Sequence, residues 1–428
     1  MGAERPAPVR IDDYANPRFA PEFDAVREAV APMAADLVLE AAPLLEQAAA
    51  ETGLDDFGDD DFRARLDVLL AALRDAPLSP FGTVSNHTLV GQLLRNRLLI
   101  EDLLRRHPEI HDVPVRSPIV IVGLPRTGTT HLHNLLAADP GLRSLPYWES
   151  LEPVLAARET PALGAGDPRR ARTQTALAVI DLAMPLFKRM HEMTVDHAHE
   201  EIQLLAIDFS SMLFETIALL PGWRDHYRAH DQTPHYRYLR TVLQVLTWLR
   251  GGDRWVLKSP QHCEQIPALL EVFPDATFVT THRDPVPVTA SMVTMITYSQ
   301  RMAVDHPDPH VCGAYWAARV QDLLLACARD HDLLPPDQTV VVRFHELMED
   351  ERAVVRRIYD TAGRPLTERA TAAMDEFARR HPRGRHGTVV YDLADFGLDP
   401  AERRAALAGY AEQFGTRAEP DPGGTAKG

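Results

Sequence analysis

The chain has 428 residues, 45% of them hydrophobic and 25% charged, with a formal net charge of −16. That length buries a full core and allows about one to three domains. The acidic balance argues against nucleic acid as a bulk partner, because backbone-phosphate binding needs a positive field, but it permits a small anion in a locally basic pocket. Cys263, Cys312 and Cys327 form neither a C-x-x-C pair nor a disulfide framework, which fits a reducing cytoplasm. The opening "MGAERPAPVR" lacks the apolar run of a signal peptide, and Pro6 breaks the myristoylation pattern. No apolar run approaches the ~20 residues of a membrane span. A cytoplasmic protein without integral membrane contact is expected.

Residues 1–116 read as helical. The stretch 21–53 carries apolar residues at three- and four-residue spacing and ends near a glycine, and "VGQLLRNRLLIEDLLRRHPEI" is a second amphipathic helix halted before Pro108. A proline-punctuated link over 112–118 leads to the first strand, Ile119 to Val122. Further strands are expected at 253–258, 276–282 and 338–344, with helices between them, including "HYRYLRTVLQVLTWLR" and "CEQIPALLEVF". Strands alternating with helices imply an α/β fold with a mostly parallel sheet flanked by helices. The expected division is an N-terminal helical region over 1–116 packed on the core, an α/β domain over 117–415, and a disordered tail over 416–428. Residues 156–175 and 299–311 are expected to be long mobile connections.

Gly123 to Thr130 reads G-L-P-R-T-G-T-T between a buried strand and a helix. Both glycines have the spacing of a phosphate loop, whose backbone N–H groups and helix N-terminus face an anion. Thr129 stands where that loop carries its lysine, and Arg126 supplies a cation from within the loop. The neighbouring strands end near Lys258 and Arg283, which are basic, where a metal-dependent NTPase would place an acid for Mg²⁺. The pattern points to a phosphate-bearing ligand gripped by protein cations.

On these residues the chain resembles the sulfotransferases that use 3′-phosphoadenosine 5′-phosphosulfate (PAPS), within them the bacterial branch with an L-P-R-T-G-T-T loop. The similarity runs from roughly residue 90 to 400. It implies that Arg126, Thr127, Gly128, Thr129 and Thr130 hold the 5′-phosphate end of the donor. It also implies that Arg283 and Ser291, eight residues apart in "THRDPVPVTASM", bind the 3′-phosphate, with a guanidinium fork and a hydroxyl suited to it. In "HPRGRHGTVVYD" a basic glycine-containing loop matches more loosely. Arg385 and Gly387 are its candidates, with Arg380 and Arg383 interchangeable from sequence.

Sulfuryl transfer needs in-line geometry, a base for the acceptor proton, and cations for the charge that develops. "WVLKSPQH" offers Lys258 for charge and His262 as a base, although the spacing departs from the Lys-x-His of the animal enzymes. Glu200, in "DHAHEE" with Asp196 as the expected cap, and Glu149, in "LPYWES", are the second and third candidates for the base. His191, His197 and His199 stand beside two glutamates, but they do not spell H-E-x-x-H, and no metal is expected. The implied acceptor is a hydroxyl of a small molecule, lipid or sugar, with residues 209–223 and 299–311 expected to wall its pocket. The competing readings are a P-loop kinase using ATP and Mg²⁺, and a nucleotide-binding module without catalysis.

Overall fold

The computed structural model describes residues 6–159 and 166–420. Four strands, Ile119–Val122 (β1), Val256–Ser259 (β2), Thr277–His282 (β3) and Thr339–Arg343 (β4), pair in parallel in the order β2-β1-β3-β4. All four lie where the sequence places them, and β1 agrees to the residue. The first strand is central and buried throughout. Its alternating side chains feed two cores: Val120 and Val122 join Leu257 and Phe278 on one face, while Ile119 and Ile121 join Leu132, Leu136 and Val342 on the other. A sheet covered on both faces explains the unbroken apolar run of β1.

Because β1 has a parallel neighbour on each side, the chain leaves the sheet in opposite directions from its central strands. Ligands of open α/β sheets bind at the carboxyl ends of strands at such a switch point. Here that edge carries the 123–128 turn, Lys258 near the end of β2, and Arg283 just past β3.

The helical run expected over 21–53 is two helices, Pro21–Ala34 and Ala41–Thr52. Pro32, which has no N–H to donate, lies in the last turn of the first. The expected connection over 156–175 is shorter than foreseen, because the helix Pro168–Ala183 begins at an Asp167 cap that accepts from Arg169 N at 3.0 Å. Residues 160–165 of that connection lie outside the described residues. The 299–311 segment holds a single turn, Gln300–Met302, and the helix Pro309–Asp330 starts within it. Residues 416–420, part of the tail expected to be disordered, pack on the domain, with Glu419 N donating to Asp284 Oδ2 at 2.6 Å. Residues 421–428 lie outside the described residues.

The N-terminal helices share the apolar core of the sheet: Phe23, Leu66 and Leu94 belong to the same cluster as Val120 and Leu257. A buried charge knot reinforces this union. The Arg97 guanidinium donates to Asp208 Oδ1 at 2.7 Å and to Phe57 O at 2.7 Å. Arg65 reaches the same carboxylate at 2.9 Å, and His235 Nδ1 lies 2.6 Å from its other oxygen. Removing one partner of a buried ion pair leaves a charge without compensation, so Asp208→Asn is expected to cost about 3–5 kcal/mol. Urea unfolding measures this, and a loss below about 1 kcal/mol would show that the knot does not join the two regions.

Candidate active site

The turn after β1 is built by close approach. A Cβ at Gly123 would overlap Thr281 Oγ1 of β3. Gly128 takes φ 95°, and a Cβ there would crowd Leu347. Thr127 Oγ1 donates to Leu124 O at 2.7 Å and lies 2.6 Å from Thr281 Oγ1. Thr129 Oγ1 donates to Leu124 O at 3.2 Å. Both hydroxyls thus brace the loop. The helix Thr129–Ala137 follows at once, and the N–H groups of its first turn have no intrahelical partner.

Arg126 holds φ 75°, a left-handed conformation of a residue with a side chain, of the kind that concentrates at functional sites. Its carbonyl accepts from Arg283 Nη1 at 2.8 Å. Its guanidinium lies over the Tyr391 ring at 5.6 Å, with Nη1 3.5 Å from Met190 O, and its Nε is buried without a hydrogen-bond partner among the described residues. Arg283 stacks on Phe344 at 4.0 Å and forks onto Glu419, with Nε and Nη2 each 2.6 Å from a carboxylate oxygen. Asp284 caps the following helix, Pro285–Ser299, and accepts from Glu419 N at 2.6 Å. Ser291, in that helix, is 2% exposed, and its Oγ has no partner among the described residues.

A cavity of about 620 Å³ opens at this edge. Its lining brings together Arg126, Lys188, Arg189, Arg283, Arg383 and Arg385, against two acids, Glu192 and Asp196. Gly128, Thr129 and Thr130 of the loop and Gly387 of the C-terminal basic loop also line it, while Thr127 lies beneath. Arg385 is held by Glu192, Nε to Oε2 at 3.1 Å. Of the interchangeable arginines, Arg383 and Arg385 reach the cavity; Arg380 pairs with Glu376 and is absent from the lining. Val9 braces this basic loop, since its N donates to Thr388 O at 3.1 Å and its O accepts from Val390 N at 2.9 Å.

Lys258 is 2% exposed, with its ammonium on Glu200 and its backbone N donating to Glu201 Oε2 at 2.9 Å. His262 is fully buried and absent from the cavity lining, with Nε2 2.5 Å from Glu201 Oε1 and Nδ1 2.8 Å from Tyr236 OH. Burial opposes the charge of Glu201, but the His262 imidazole and the Lys258 N–H hold its carboxyl below the usual range. The first-ranked candidate base therefore supports the end of β2 from beneath. Glu149 is likewise buried, between Arg143 at 2.5 Å and Arg250 at 2.8 Å. Asp196 pairs with Arg170, and the short helix Ile202–Ala206 has no side-chain cap, which corrects the capping role expected of Asp196.

None of residues 209–223 or 299–311 lines the cavity. Phe209 packs on Phe62 and Phe214, Trp223 meets Phe214 edge-on, and Ser79 N donates to Ala303 O at 2.8 Å. The apolar content of the first segment belongs to the core. A further part of the wall is made by Lys188–Glu192, Thr194 and Asp196–Ala198. These residues bring in His191 and His197, which the sequence offered only as unlikely metal ligands. No group of three or more His, Cys, Asp or Glu among the described residues is arranged to hold a metal ion.

The cluster is electrostatically tuned. Burial, reinforced by the nearby Lys258 ammonium, pushes the His133 imidazole down to about 3. Burial does the same to His191, to about 3, with Lys258, His197 and Arg126 adding to it. His197 falls to about 4, chiefly by burial, and His199 lies well below the ordinary imidazole range. These rings are neutral near pH 7 and retain lone pairs beside fixed cations.

A sulfotransferase family model matches residues 118–368. The chain belongs to the sulfotransferase family. It superposes on the crystal structure of sulfotransferase STF9 from Mycobacterium avium with a TM-score of 0.79 and 28% identity, covering 90% of this chain and 99% of that one. Sulfotransferase STF1 from Mycobacterium tuberculosis H37Rv is similar at TM-score 0.74 and 29% identity, covering 86% and 98%. Omega-hydroxy-beta-dihydromenaquinone-9 sulfotransferase Stf3 of Mycobacterium bovis is 25% identical over 261 residues, which is 58% of this chain. The match spans 62% of the length of that curated relative.

An imidazole held neutral by this fold takes up a proton more readily once unfolded. Its contribution to stability is therefore complete above the ordinary range near 6.5 and is lost as pH falls from there toward about 4. The melting temperature is expected to drop over that window, above the range where carboxylates protonate. His133→Leu is expected to flatten the slope, and an unchanged slope in that variant would remove His133 from the account.

Proposed function

We propose that this sulfotransferase moves a sulfuryl group from PAPS to a hydroxyl of a small-molecule, lipid or carbohydrate acceptor. The observation that carries the proposal is the concentration of six cations at one cavity of a chain with net charge −16. The fit to the donor rests on two buried polar atoms without partners, Ser291 Oγ and Arg126 Nε, and on the open N–H groups of the Thr129–Ala137 helix. Arg126, Gly128, Thr129 and Thr130 would hold the 5′-phosphate end, with Thr127 bracing the loop from below. Arg283, Ser291 and the 383–387 loop, with Arg385 and Gly387, would hold the 3′-phosphate.

The donor supplies the sulfuryl group: the acceptor oxygen bonds to sulfur as the bond to the 5′-phosphate oxygen breaks, and the electron pair leaves on that phosphate. Lys258, buried beneath the cavity and not part of its lining, would supply positive charge toward the transferring group, with Glu200 fixing the direction of its ammonium and Glu201 fixing the strand. A kinase would need Mg²⁺ at this edge, and the cations Lys258 and Arg283 at the strand ends repel it. The Stf3 relative is named for a lipid quinone carrying a hydroxyl, which favours a lipid or other small hydroxyl acceptor here. The three buried free thiols agree with a cytoplasmic setting. No helix among the described residues is long and apolar enough to cross a membrane.

Adenosine 3′,5′-bisphosphate at about 100 times its Kd is expected to add about 2.7 kcal/mol of stability, a shift of a few degrees. 5′-AMP at the same concentration should shift less, and ATP with Mg²⁺ should not reproduce the effect. A shift with ATP and Mg²⁺ alone would overturn the proposal. Loss of the charge-assisted contacts in Arg283→Ala should weaken bisphosphate binding about 10- to 100-fold by calorimetry. The Glu419 carboxylate occupies the same guanidinium, so Glu419→Gln should bind the bisphosphate several-fold more tightly. Equal affinity in that variant would show that the phosphate does not compete for Arg283.

A further inference from the structure

Resting on the reading above, we propose that His191 is the base that takes the proton from the acceptor hydroxyl. Its position follows from what surrounds the cavity. Five imidazoles line it: His131, His191, His197, His381 and His386. Four are engaged. His131 Nε2 lies 2.7 Å from Glu351, and His381 Nδ1 donates to Phe377 O at 3.0 Å while the ring stacks on Phe377. His386 Nε2 lies 3.0 Å from Glu192 Oε1. His197 uses both nitrogens, Nδ1 2.6 Å from Thr194 O and Nε2 3.0 Å from His199 Nδ1. His191 alone among them has no hydrogen bond from either ring nitrogen to another described residue.

The ring is held without spending those nitrogens. Its backbone N donates to Phe187 O at 2.8 Å, and the preceding carbonyl, Met190 O, faces Arg126 Nη1. Phe187 meets the imidazole edge-on at 5.9 Å, and His197 does so at 6.4 Å. The positive charges that act on it come from two directions, Arg126 in the phosphate loop and Lys258 at the end of β2. His191 therefore presents free ring nitrogens at the wall of the cavity that the phosphate loop also lines, while His262, Glu149 and Glu200 are absent from that lining and Glu200 is bound to Lys258.

The proton balance is simple. As the acceptor oxygen bonds to sulfur, its proton moves to a free ring nitrogen of His191, and the electron pair of the broken bond leaves on the 5′-phosphate. The imidazolium then releases the proton to water at the cavity mouth. Burial holds this imidazole neutral and weakens it as a base, and the nearby cations add to the effect. An anionic donor beside Arg126 would offset part of that positive field and raise the basicity of the ring. Base strength is thus coupled to donor occupancy, which disfavours proton abstraction before the sulfuryl group is present.

The test is an NMR titration of the His191 imidazole in the full chain, free and saturated with adenosine 3′,5′-bisphosphate. The pKa is expected to rise by about one unit or more on saturation, with Lys258, Arg126 and His197 as the groups whose fields change. Binding of the bisphosphate with no movement of the His191 titration overturns the assignment while leaving the sulfotransferase reading intact; failure to bind the bisphosphate overturns that reading itself. In steady-state assays with PAPS and either 1-octanol or 4-nitrophenol, His191→Gln should lower kcat about 10²- to 10⁴-fold with bisphosphate affinity unchanged. The loss should be larger for the alcohol, whose proton is held more tightly. Retention of kcat within about threefold for the alcohol overturns the proposal.

Discussion

The site depends on the lateral bond between the carboxyl ends of two neighbouring strands. Arg283 leaves β3 and donates to the carbonyl of Arg126, while Thr281 of β3 meets Thr127 of the turn after β1. Without that pair of contacts, the left-handed Arg126 backbone would stand as uncompensated strain. With them, one guanidinium braces the turn after β1 through Nη1 while its Nε and Nη2 fork onto Glu419. Strand pairing does the rest, because the register sets Val122 of β1 opposite Thr280 of β3 and Ser259 of β2. The loop, Lys258 and Arg283 thereby arrive at one edge.

Concentrating like charges at a cavity has a cost, and the fold meets it with partners that differ in permanence. Lys258 has Glu200, Arg385 has Glu192, and Arg283 has Glu419. The first lies in a buried strand environment. The last comes from five described residues at the C-terminal end, the kind of segment that opens at low free energy. A carboxylate forked on an arginine has the geometry that a phosphate also satisfies, so the tail is a chemically sensible occupant of a phosphate-binding guanidinium. The neutral histidines on the cavity wall complete the arrangement by adding lone pairs without adding positive charge.

Much of this was legible in advance. The four strands announced themselves because buried parallel strands are unbroken apolar runs, and β1 ends where its glycine turn begins. Arg126 was legible as a candidate from the strand–turn–helix unit after β1, and Arg283 and Ser291 from the one after β3, because spacing within each unit is a local property. The candidates for the base were less legible. His262 looked catalytic from its distance to Lys258 along the chain, yet the short helical turn Pro260–Glu264 directs it inward onto Glu201 and Tyr236. Glu149 looked similar and is spent on two arginines. The 209–223 segment read as a pocket wall because apolar and aromatic content is the same whether it faces a ligand or the core.

Local spacing by itself determined the strand–loop–helix unit, the substitution of Thr129 for a lysine, the basic strand ends and the membership of an α/β class, since each depends on backbone rules acting over a few residues. Only the tertiary structure decided which cations share a cavity, that Glu419 sits on Arg283 from 136 positions away, and that Val9 braces the 388–390 backbone. It also decided that His191, among many histidines, keeps both ring nitrogens free at the cavity wall. Those outcomes depend on burial and on hydrogen-bond partners that are distant along the chain, and desolvation and pairing are properties of the folded environment and not of the residue.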